Sequence, residues 1–375
     1  MLKGFYLTLM IGPGAPAPAP SFVTDALTDV QVTSSKDRSG FQLTFSVGNR
    51  SPLLATMLPA GYFDAMVTRV MIIATVGGVP EVLMDGIVTR QELVPSNQPG
   101  QSTLTITGDD LSVLMDVVEK PDMRYPNMTA NIIVTAILGQ YAALGVVPLV
   151  IPPIILDVSV NSKKVPVQHG TDLAYIRLLA ARSGHVFYVE PGPAPGMNLA
   201  YWGPDVRIPV PQPALNVNLD AHTNVDSLTF SLDGLQKSIF VLNVLDPVNE
   251  QIAIPVPVPE ISVLRPPLGL RPSIPSKVQY PVGLEKLSAT EAAGRALGLS
   301  FASSDSITAT GALDVLRYGR VLRSRQMVGV RGASLAYDGL YYVNSVTHTI
   351  KRGDYKQSFN LSRDGLVSLT SSVPS

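Results

Sequence analysis

The chain has 375 residues, of which 46% are hydrophobic and only 15% are charged, with 32 prolines and no cysteine. This length suffices for two or three domains with a substantial core, and the low charged fraction indicates that much of the surface is covered by other chains. The lack of cysteine excludes disulfides, zinc–thiolate sites and thiol nucleophiles, while a formal net charge of −1 argues against chain-wide attraction to nucleic acid or acidic membranes.

The N-terminal segment allows two interpretations. Lys3, a short apolar run and an Ala-Pro-Ala stretch resemble a secretory signal. Tyr6 and Thr8, however, alternate with apolar residues as they would in a strand from Phe5 to Met10. We favour the strand, followed by a Pro-rich loop over 13–20. No apolar run in the sequence is long enough for a membrane helix.

Strand patterns dominate residues 1–118. Apolar and polar residues alternate over 41–47 and 102–107, and Gly77-Gly78 between two apolar runs predicts a hairpin. The spacing then becomes helical, and Asp109 is placed to cap a helix whose buried face carries Leu111, Leu114, Met115 and Val118. Residues 1–118 therefore predict a small sheet or barrel closed by a short helix.

Residues 119–212 predict a mixed α+β middle domain. One helix is expected over 129–145, with Ile133, Ile137, Tyr141 and Leu144 on one face. A second begins after Thr171, which can cap it, and ends at Gly184. A strand pair follows, over 185–192 and 197–203.

The rest of the chain returns to strand patterns around an interruption. Residues 213–250 and 315–375 predict a second β unit, while residues 251–314 hold a Pro-rich arm at 252–281 and a helix at 288–298. The helix carries a capping box formed by Ser288 and Glu291. The arm is too apolar for a solvated linker, so we expect it to act as a connector or to lie on a neighbouring chain.

The sequence carries no recognisable catalytic chemistry. It has no phosphate-binding loop and no His-Glu-x-x-His helix, and its histidines are scattered at 169, 185, 222 and 348. We predict no catalytic residues, no cofactor and no metal site, and we expect that the protein is not an enzyme.

Arginines and the single tryptophan invite functional interpretations that we do not favour. The arginines gather at Arg317, Arg320, Arg323, Arg325 and Arg331. On a strand, Arg323 and Arg325 would face one side, as a phosphate-binding strip or, as we favour, a charged rim at a protein interface. Trp202 is expected in the core.

Three stretches resemble the baseplate-hub proteins of contractile tails, a family that includes the late control gene D protein of temperate phages and the N-terminal hub part of VgrG spikes. The stretches are 76–94, with Gly86 inside a strand, TDLAYIRLLAARSGHVFYVEPG at 171–192, and the hairpin GLYYVNSVTHTIKRGDYKQSFNLSRDG at 339–365. The hairpin pattern is the most specific, and it is carried by Gly339, Tyr341, Val343, Val346, His348, Phe359, Leu361 and Arg363.

The resemblance implies a β-rich α+β fold in which two tube-like antiparallel β-barrel domains flank the mixed middle domain. It implies a homotrimer whose ring of six barrel-like units joins the inner tube to the central spike of a contractile injection system or contractile phage tail. The implied partners are a spike protein, the inner tube protein and baseplate wedge or sheath-proximal components, without nucleic-acid binding or membrane insertion. The implied location is a particle assembled in the cytoplasm.

Parts of the chain depart from this family. Fused spikes of the family continue into further domains, whereas this sequence ends at Ser375, so we expect the spike to be a separate protein. The arm at 252–281 and the loop at 13–20 match no family motif. We lean towards an injection system, because the arm suggests a divergent particle.

Two alternatives are kept. A secreted β-rich enzyme or carbohydrate-binding module would use the first twenty residues as a signal and would need a convergent polar site. An outer-membrane barrel would need alternating strands of about ten residues throughout, which the predicted helices oppose.

Overall fold

The structure is a computed structural model, and it describes residues 4–36, 38–98, 100–153, 165–208, 210–245, 253–257, 265–282, 289–370 and 373. Among these residues, no helix has the length and apolar character needed to cross a membrane.

The first part of the chain forms seven strands and a short helix. They are β1 (Phe5–Pro13), β2 (Ala17–Pro18), α1 (Ser21–Ala26), β3 (Leu27–Ser35), β4 (Ser39–Val47), β5 (Thr68–Val76), β6 (Val79–Val94) and β7 (Ser102–Asp110). The strands expected at 5–10, 41–47 and 102–107 are confirmed. Gly77 and Gly78 join β5 to β6 with φ of 58° and 86°, a left-handed geometry that glycine adopts readily.

The helix expected after β7 is shorter than predicted and has a different cap. It is a 3₁₀ turn over Leu111–Asp116, and the Asp110 carboxylate, rather than that of Asp109, accepts from the Ser112 backbone N–H at 2.9 Å. Asp109 stays in β7, where its carboxylate pairs with Arg38 at 2.8 Å. Because the turn ends early, Val118 is 63% exposed and does not lie on a buried face.

The middle part folds as a separate layer with its own core. Its elements are β8 (Glu119–Arg124), α2 (Ala130–Gly139), β9 (Val146–Val150), β10 (Val167–Thr171), α3 (Asp172–Ser183), β11 (Val186–Pro191) and β12 (Asn198–Gly203). β12 lies between β11 and β9 in a three-stranded sheet, and among the described strands β8 pairs with β10 alone. The helix predicted over 129–145 is shorter in the structure. α2 ends at Gly139, and a separate 3₁₀ turn follows at Ala142–Leu144.

The signals that delimit α3 are confirmed. The Thr171 hydroxyl accepts from the Ala174 N–H at 3.2 Å, and Gly184 ends the helix with φ of 66°. Trp202 is fully buried, and its indole N–H donates to the Ile176 carbonyl at 3.4 Å, so its assignment to the core is also confirmed.

The last part contains the remaining strands and two helices. They are β13 (Pro211–Asn216), β14 (Val225–Leu232), β15 (Ser238–Leu245), β16 (Ala253–Pro257), β17 (Gly269–Pro272), β18 (Lys277–Gln279), α4 (Ala289–Ser303), β19 (Ile307–Asp314), α5 (Val315–Tyr318), β20 (Met327–Arg331), β21 (Gly339–Lys351), β22 (Asp354–Arg363) and β23 (Gly365–Ser368). α4 confirms the predicted helix from Ala289 onward, whereas its expected cap, Ser288, lies outside the described residues.

Thirteen of the described strands form one sheet. Its main path runs β14-β19-β22-β21-β3-β4-β7-β6-β5-β1-β2, and β20 branches from β21 to pair with β13. β21 pairs with β3, with His348 opposite Val32, so the two predicted β units share one sheet and one hydrophobic core. β19 lies inside this sheet although its residues were assigned to the 251–314 insertion, and β15 lies outside it, paired with β16 and β18.

The β-rich α+β class is therefore confirmed. The paths of strand pairing in the described residues do not return to their starting strands, so the two tube-like barrels and the domain boundaries stay predictions.

Candidate functional site: the closing hairpin and a buried charge network

The closing hairpin is formed by β21 and β22 and lies inside the main sheet, between β19 and β3. Lys351 faces Asp354 across the turn, where Gly353 has φ of 77°. All eight residues of the predicted pattern are buried in the described structure: Gly339, Tyr341, Val343, Val346, His348, Phe359, Leu361 and Arg363. Their side of the hairpin is a wall of the core rather than a surface that a substrate could reach.

A β-bulge explains the uneven spacing of this pattern. The register of β21 against β22 shifts between Val343 and Ser345, so one extra residue enters β21. Val343 and Val346, three residues apart, are consequently both fully buried. The backbone of Val343 binds the neighbouring turn, accepting from Arg325 N–H at 2.8 Å and donating to the Gln326 carbonyl at 2.9 Å.

His348 is a neutral, buried hydrogen-bond acceptor. Its Nδ1 lies 2.8 Å from the Tyr355 hydroxyl and 3.2 Å from Gln357 Nε2. The Leu322 backbone fixes the Gln357 amide, with N–H to Oε1 at 3.0 Å and Nε2–H to the carbonyl at 2.9 Å, so Nδ1 must accept. Burial, aided by the Arg323 cation, lowers the pKa of His348 to about 3. A structural role fits this environment.

Arg363 is fully buried and is held by backbone carbonyls. Its guanidinium donates to Gly365 O at 2.6 Å and to Asp338 O and Ala336 O at 2.8 Å each, and it lies 4.7 Å from the Tyr341 ring centroid. Burial lowers the pKa of Arg363, although the facing tyrosine and nearby acids oppose this. The residue fixes the loop before β21 against the chain after β22.

A second buried cluster was not predicted from the sequence, and we call it the charge network: Lys36, Asp205, Arg207, Arg265 and Asp305. Arg207 grips Asp305 with two hydrogen bonds of 2.9 and 2.7 Å. Arg265 reaches both acids, at 3.0 Å from Asp305 and 3.3 Å from Asp205. Lys36 completes it at 3.3 Å from Asp205.

Mutual pairing keeps the charge network ionised. Burial would raise the pKa of Asp305, but Arg207 and Arg265 overcome it and hold that pKa well below its usual range. The same balance raises the pKa of Arg207, since the two acids outweigh its desolvation. The network links the β3–β4 turn, the chain leaving the middle layer, the arm and the start of β19, so it fastens four parts of the fold. Its members are too far apart in the chain for any spacing rule to find them.

Asp172 also has a larger role than its place at a helix start suggested. Its carboxylate accepts from Lys120 Nζ and the Tyr141 hydroxyl at 2.8 Å each, and from Gln168 Nε2 at 2.7 Å. Burial and this hydrogen bond raise the pKa of Tyr141. Asp172 therefore ties α3 to β8, β10 and the end of α2.

The expected arginine rim is wrong in its geometry. Residues 323–325 form an irregular turn rather than a strand, so Arg323 and Arg325 do not share a face. Arg317 pairs with Asp226 at 2.9 Å and Arg323 with Glu81 at 3.0 Å. The Arg325 side chain is buried, and its Cζ lies 4.1 Å from the centroid of the Tyr188 ring. The charges point to different partners and form no strip for phosphate.

The described residues contain an open groove but no cluster of metal ligands. No group of three or more histidine, aspartate or glutamate side chains among them could hold a metal ion. An open groove of about 390 Å³ runs between β1, the α1–β3 junction and the tip of the closing hairpin. Its charged lining residues are Lys351 and Arg352, and neither a carboxylate nor a histidine lines it.

Solved structures of tail proteins and of a PdpA–VgrG complex share this fold. A tail protein from Neisseria meningitidis MC58 aligns with a TM-score of 0.63 and 14% identity, over 97% of this chain and 98% of that one. The 43 kDa tail protein of prophage MuSo2 from Shewanella oneidensis aligns with a TM-score of 0.62 and 16% identity, over 97% and 100%. A chain of the Francisella PdpA–VgrG complex aligns with a TM-score of 0.60 and 10% identity, over 100% of this chain and 55% of that one.

Sequence comparison adds no family. No protein-family model matches the chain, and no curated protein is significantly similar to it. The structural alignments alone therefore show that the chain has the fold of phage tail proteins.

Proposed function

We propose that this chain is a structural tail or baseplate protein, and specifically the hub that joins an inner tube to a central spike. The observation that carries the proposal is the extent of the structural similarity, because two tail proteins match nearly the whole chain from end to end. A protein that shares only one common β domain with tails would match over one part of its length.

The character of the described residues supports a structural role. The eight pattern residues of the closing hairpin are buried in the core, and the charges of the charge network are paired with one another. The groove has no carboxylate and no histidine among its lining residues, so it holds neither a paired acid and base nor a set of metal ligands. We therefore propose that the protein is not an enzyme.

The hub proposal specifies an assembly. Three copies form a ring that presents six β units, which matches a six-fold tube on one side and a three-fold spike on the other. The partners are the tube protein, a spike protein and baseplate wedge or sheath-proximal components, and the ring assembles in the cytoplasm as part of a contractile particle. The mechanism is mechanical, because the ring transmits the thrust of the sheath to the spike.

Electron microscopy of particles tests this function. The gene would be deleted in its own host and restored as a wild-type copy carrying a small affinity tag, and isolated particles would be labelled through the tag. We expect loss of complete tails on deletion, recovery on complementation, and label at the junction of tube and spike. Normal particles without the gene, or label elsewhere on the particle, would refute the proposal.

A further inference from the structure

The arm exposes an unusual amount of apolar surface. Between β17 and the end of the described arm, five large apolar side chains are more than half exposed, and we call them the arm ridge: Leu270, Ile274, Val278, Tyr280 and Val282. Ile274 is 85% exposed and Val282 is 90% exposed. Large apolar side chains exposed this close together in the chain indicate a site of contact with another protein.

The backbone beneath the ridge is fastened at several points. β17 pairs with β23, and β18 pairs with β15. Between these strands the Ser276 N–H donates to the Lys237 carbonyl at 3.0 Å, and before them the Leu268 N–H donates to Asp364 at 3.1 Å. The ridge is therefore held in a fixed extended shape, so a partner that binds it does not have to order it first.

The part of the arm that carries the ridge has one sign of charge. From Arg265 to Val282 the sequence contains no aspartate or glutamate. Arg265 is buried in the charge network, while Arg271 and Lys277 are exposed beside the ridge. A complementary surface must be apolar with an acidic border.

The middle layer of the same chain has such a surface, which we call the β8 strip, residues 116–124. Val117 is 57% exposed, Val118 is 63% exposed and Met123 is 46% exposed. The strip has three acids, Asp116, Glu119 and Asp122, against two cations, of which Lys120 is turned back onto Asp172 and Arg124 is exposed at the end of β8. β8 pairs only with β10, so its outer edge is free in the described residues.

We propose that the arm ridge of one copy packs on the β8 strip of the next copy around the ring. This proposal rests on the hub function, because a three-fold ring requires a contact between two different surfaces of the chain, whereas a contact of one surface with itself closes a dimer. The ridge and the strip are apolar, opposite in charge and located on separate parts of the molecule. They supply the two unlike halves of such a contact.

Light scattering coupled to size-exclusion chromatography of the purified full-length chain tests the contact. We expect a three-copy species for the wild type, and a single-copy species for both Ile274→Asp and Val118→Asp, since each places a charge in an apolar contact. Leu335→Asp is the matched control, because Leu335 is 90% exposed and belongs to neither surface. All three sites are exposed, so the fold should survive, which circular dichroism would verify.

Mixing the two defective variants gives the sharper test. An Ile274→Asp copy keeps an intact strip, and a Val118→Asp copy keeps an intact arm, so one contact can form between them and no second one can close the ring. The expected product is a mixed two-copy species, whereas either variant alone stays single. A contact of each surface with itself predicts no such recovery.

The outcomes separate this contact from the hub function. A wild-type chain that stays single at high concentration and low salt, variants that behave as the wild type, or a mixture that fails to pair would each overturn the contact. A tagged chain at the tube–spike junction would still uphold the function. Conversely, the purified chain could form three-copy rings that depend on both surfaces while particles lack it. That outcome would support the contact and refute the hub function.

Discussion

The polar residues buried in the closing hairpin are fully engaged with their own chain. Arg363 donates to three backbone carbonyls, and His348 accepts from Tyr355 and Gln357. Buried polar groups that lose such partners cost about 1–3 kcal/mol each. These residues therefore fix the hairpin in one register and contribute to the free energy of unfolding.

Gly339, the first residue of β21, is tightly packed. Its φ is 129°, and a Cβ there would lie 2.5 Å from Ser368 Oγ and 3.0 Å from the Arg363 guanidinium. We expect Gly339→Ala to lower the free energy of unfolding by about 3 kcal/mol or more, from backbone strain and overpacking together. Chemical denaturation measures the change.

Gly353→Ala is the control for that substitution. Gly353 also has a positive φ, 77°, but nothing lies within 4 Å of its Cβ position. Gly353→Ala should lower the free energy of unfolding by only about 1 kcal/mol, which is the cost of holding an alanine in the left-handed conformation. Equal losses for the two variants would contradict the assigned crowding around Gly339.

His348 should make stability depend on pH. Its pKa falls from an unfolded value of about 6.5 to about 3 in the fold, so between these values the unfolded chain binds more protons. Its contribution is fully present above pH 6.5 and is lost as the pH falls towards 3. At pH 5 the loss relative to pH 7 is about 2 kcal/mol.

The variant His348→Gln isolates this contribution. Urea unfolding of both proteins at pH 7 and pH 5 should show a smaller difference between the two pH values in the variant. His185, whose pKa burial lowers to about 4, keeps part of the dependence in both proteins. An unchanged difference would show that His348 is not held neutral.

Sequence patterns reached some of these residues and missed others. The hairpin pattern singled out eight residues, and all eight are buried in the structure, because strand alternation indicates which side of a strand faces the core. The charge network was out of reach, since Arg207 and Asp305 meet across 98 residues and no local signal links them. Asp172 shows an intermediate case: its helix was predicted, and its hydrogen-bond partners were not.

At the scale of elements, hydrophobic periodicity and turn residues predicted the ends of helices and strands correctly where tertiary packing did not override them. The double glycine before β6 and the Thr171 and Gly184 signals of α3 all hold. The helix after β7 failed because Asp110 starts a tight 3₁₀ turn that ends at Asp116, before the helical spacing is completed. The break of alternation after Val343 is caused by a β-bulge, which the sequence pattern did not predict.

Val346 tests the placement of the hairpin as an element. It is fully buried on the core side of β21, opposite Phe359. Val346→Asp buries an unpaired carboxylate, which costs several kcal/mol, so we expect loss of soluble folded protein and, under the proposed hub function, of assembled particles. Thr349→Asp is the control, because Thr349 lies on the same strand at a partly exposed position. Normal particles with Val346→Asp would refute this placement.

At the scale of the molecule, the pairing of β21 with β3 decides the architecture. It joins strands more than 300 residues apart, and through it both β units share one core. Patterns along the chain identify strands and separate units, but they do not say which strand edges meet, because the partner is chosen by the whole fold. The buried Arg69–Asp85 pair, with Asn198 donating to Asp85 at 2.8 Å, fastens the middle layer in turn.

This connectivity predicts that the sheet and the middle layer unfold together. Trp202, the only tryptophan, reports on the core of the middle layer, while far-ultraviolet circular dichroism reports mainly on the sheet. We expect coincident urea transitions from the two probes, as a single cooperative unit requires.

Asp305→Asn should lower the free energy of unfolding by about 3 kcal/mol or more, because it leaves two buried arginines poorly paired. Both probes should therefore show the transition at a lower urea concentration. Asp226→Asn, which breaks exposed pairs, should cost less than about 1 kcal/mol. Transitions that separate in the wild type, or an Asp305→Asn shift seen by one probe alone, would mean that the charge network fastens only one part of the chain.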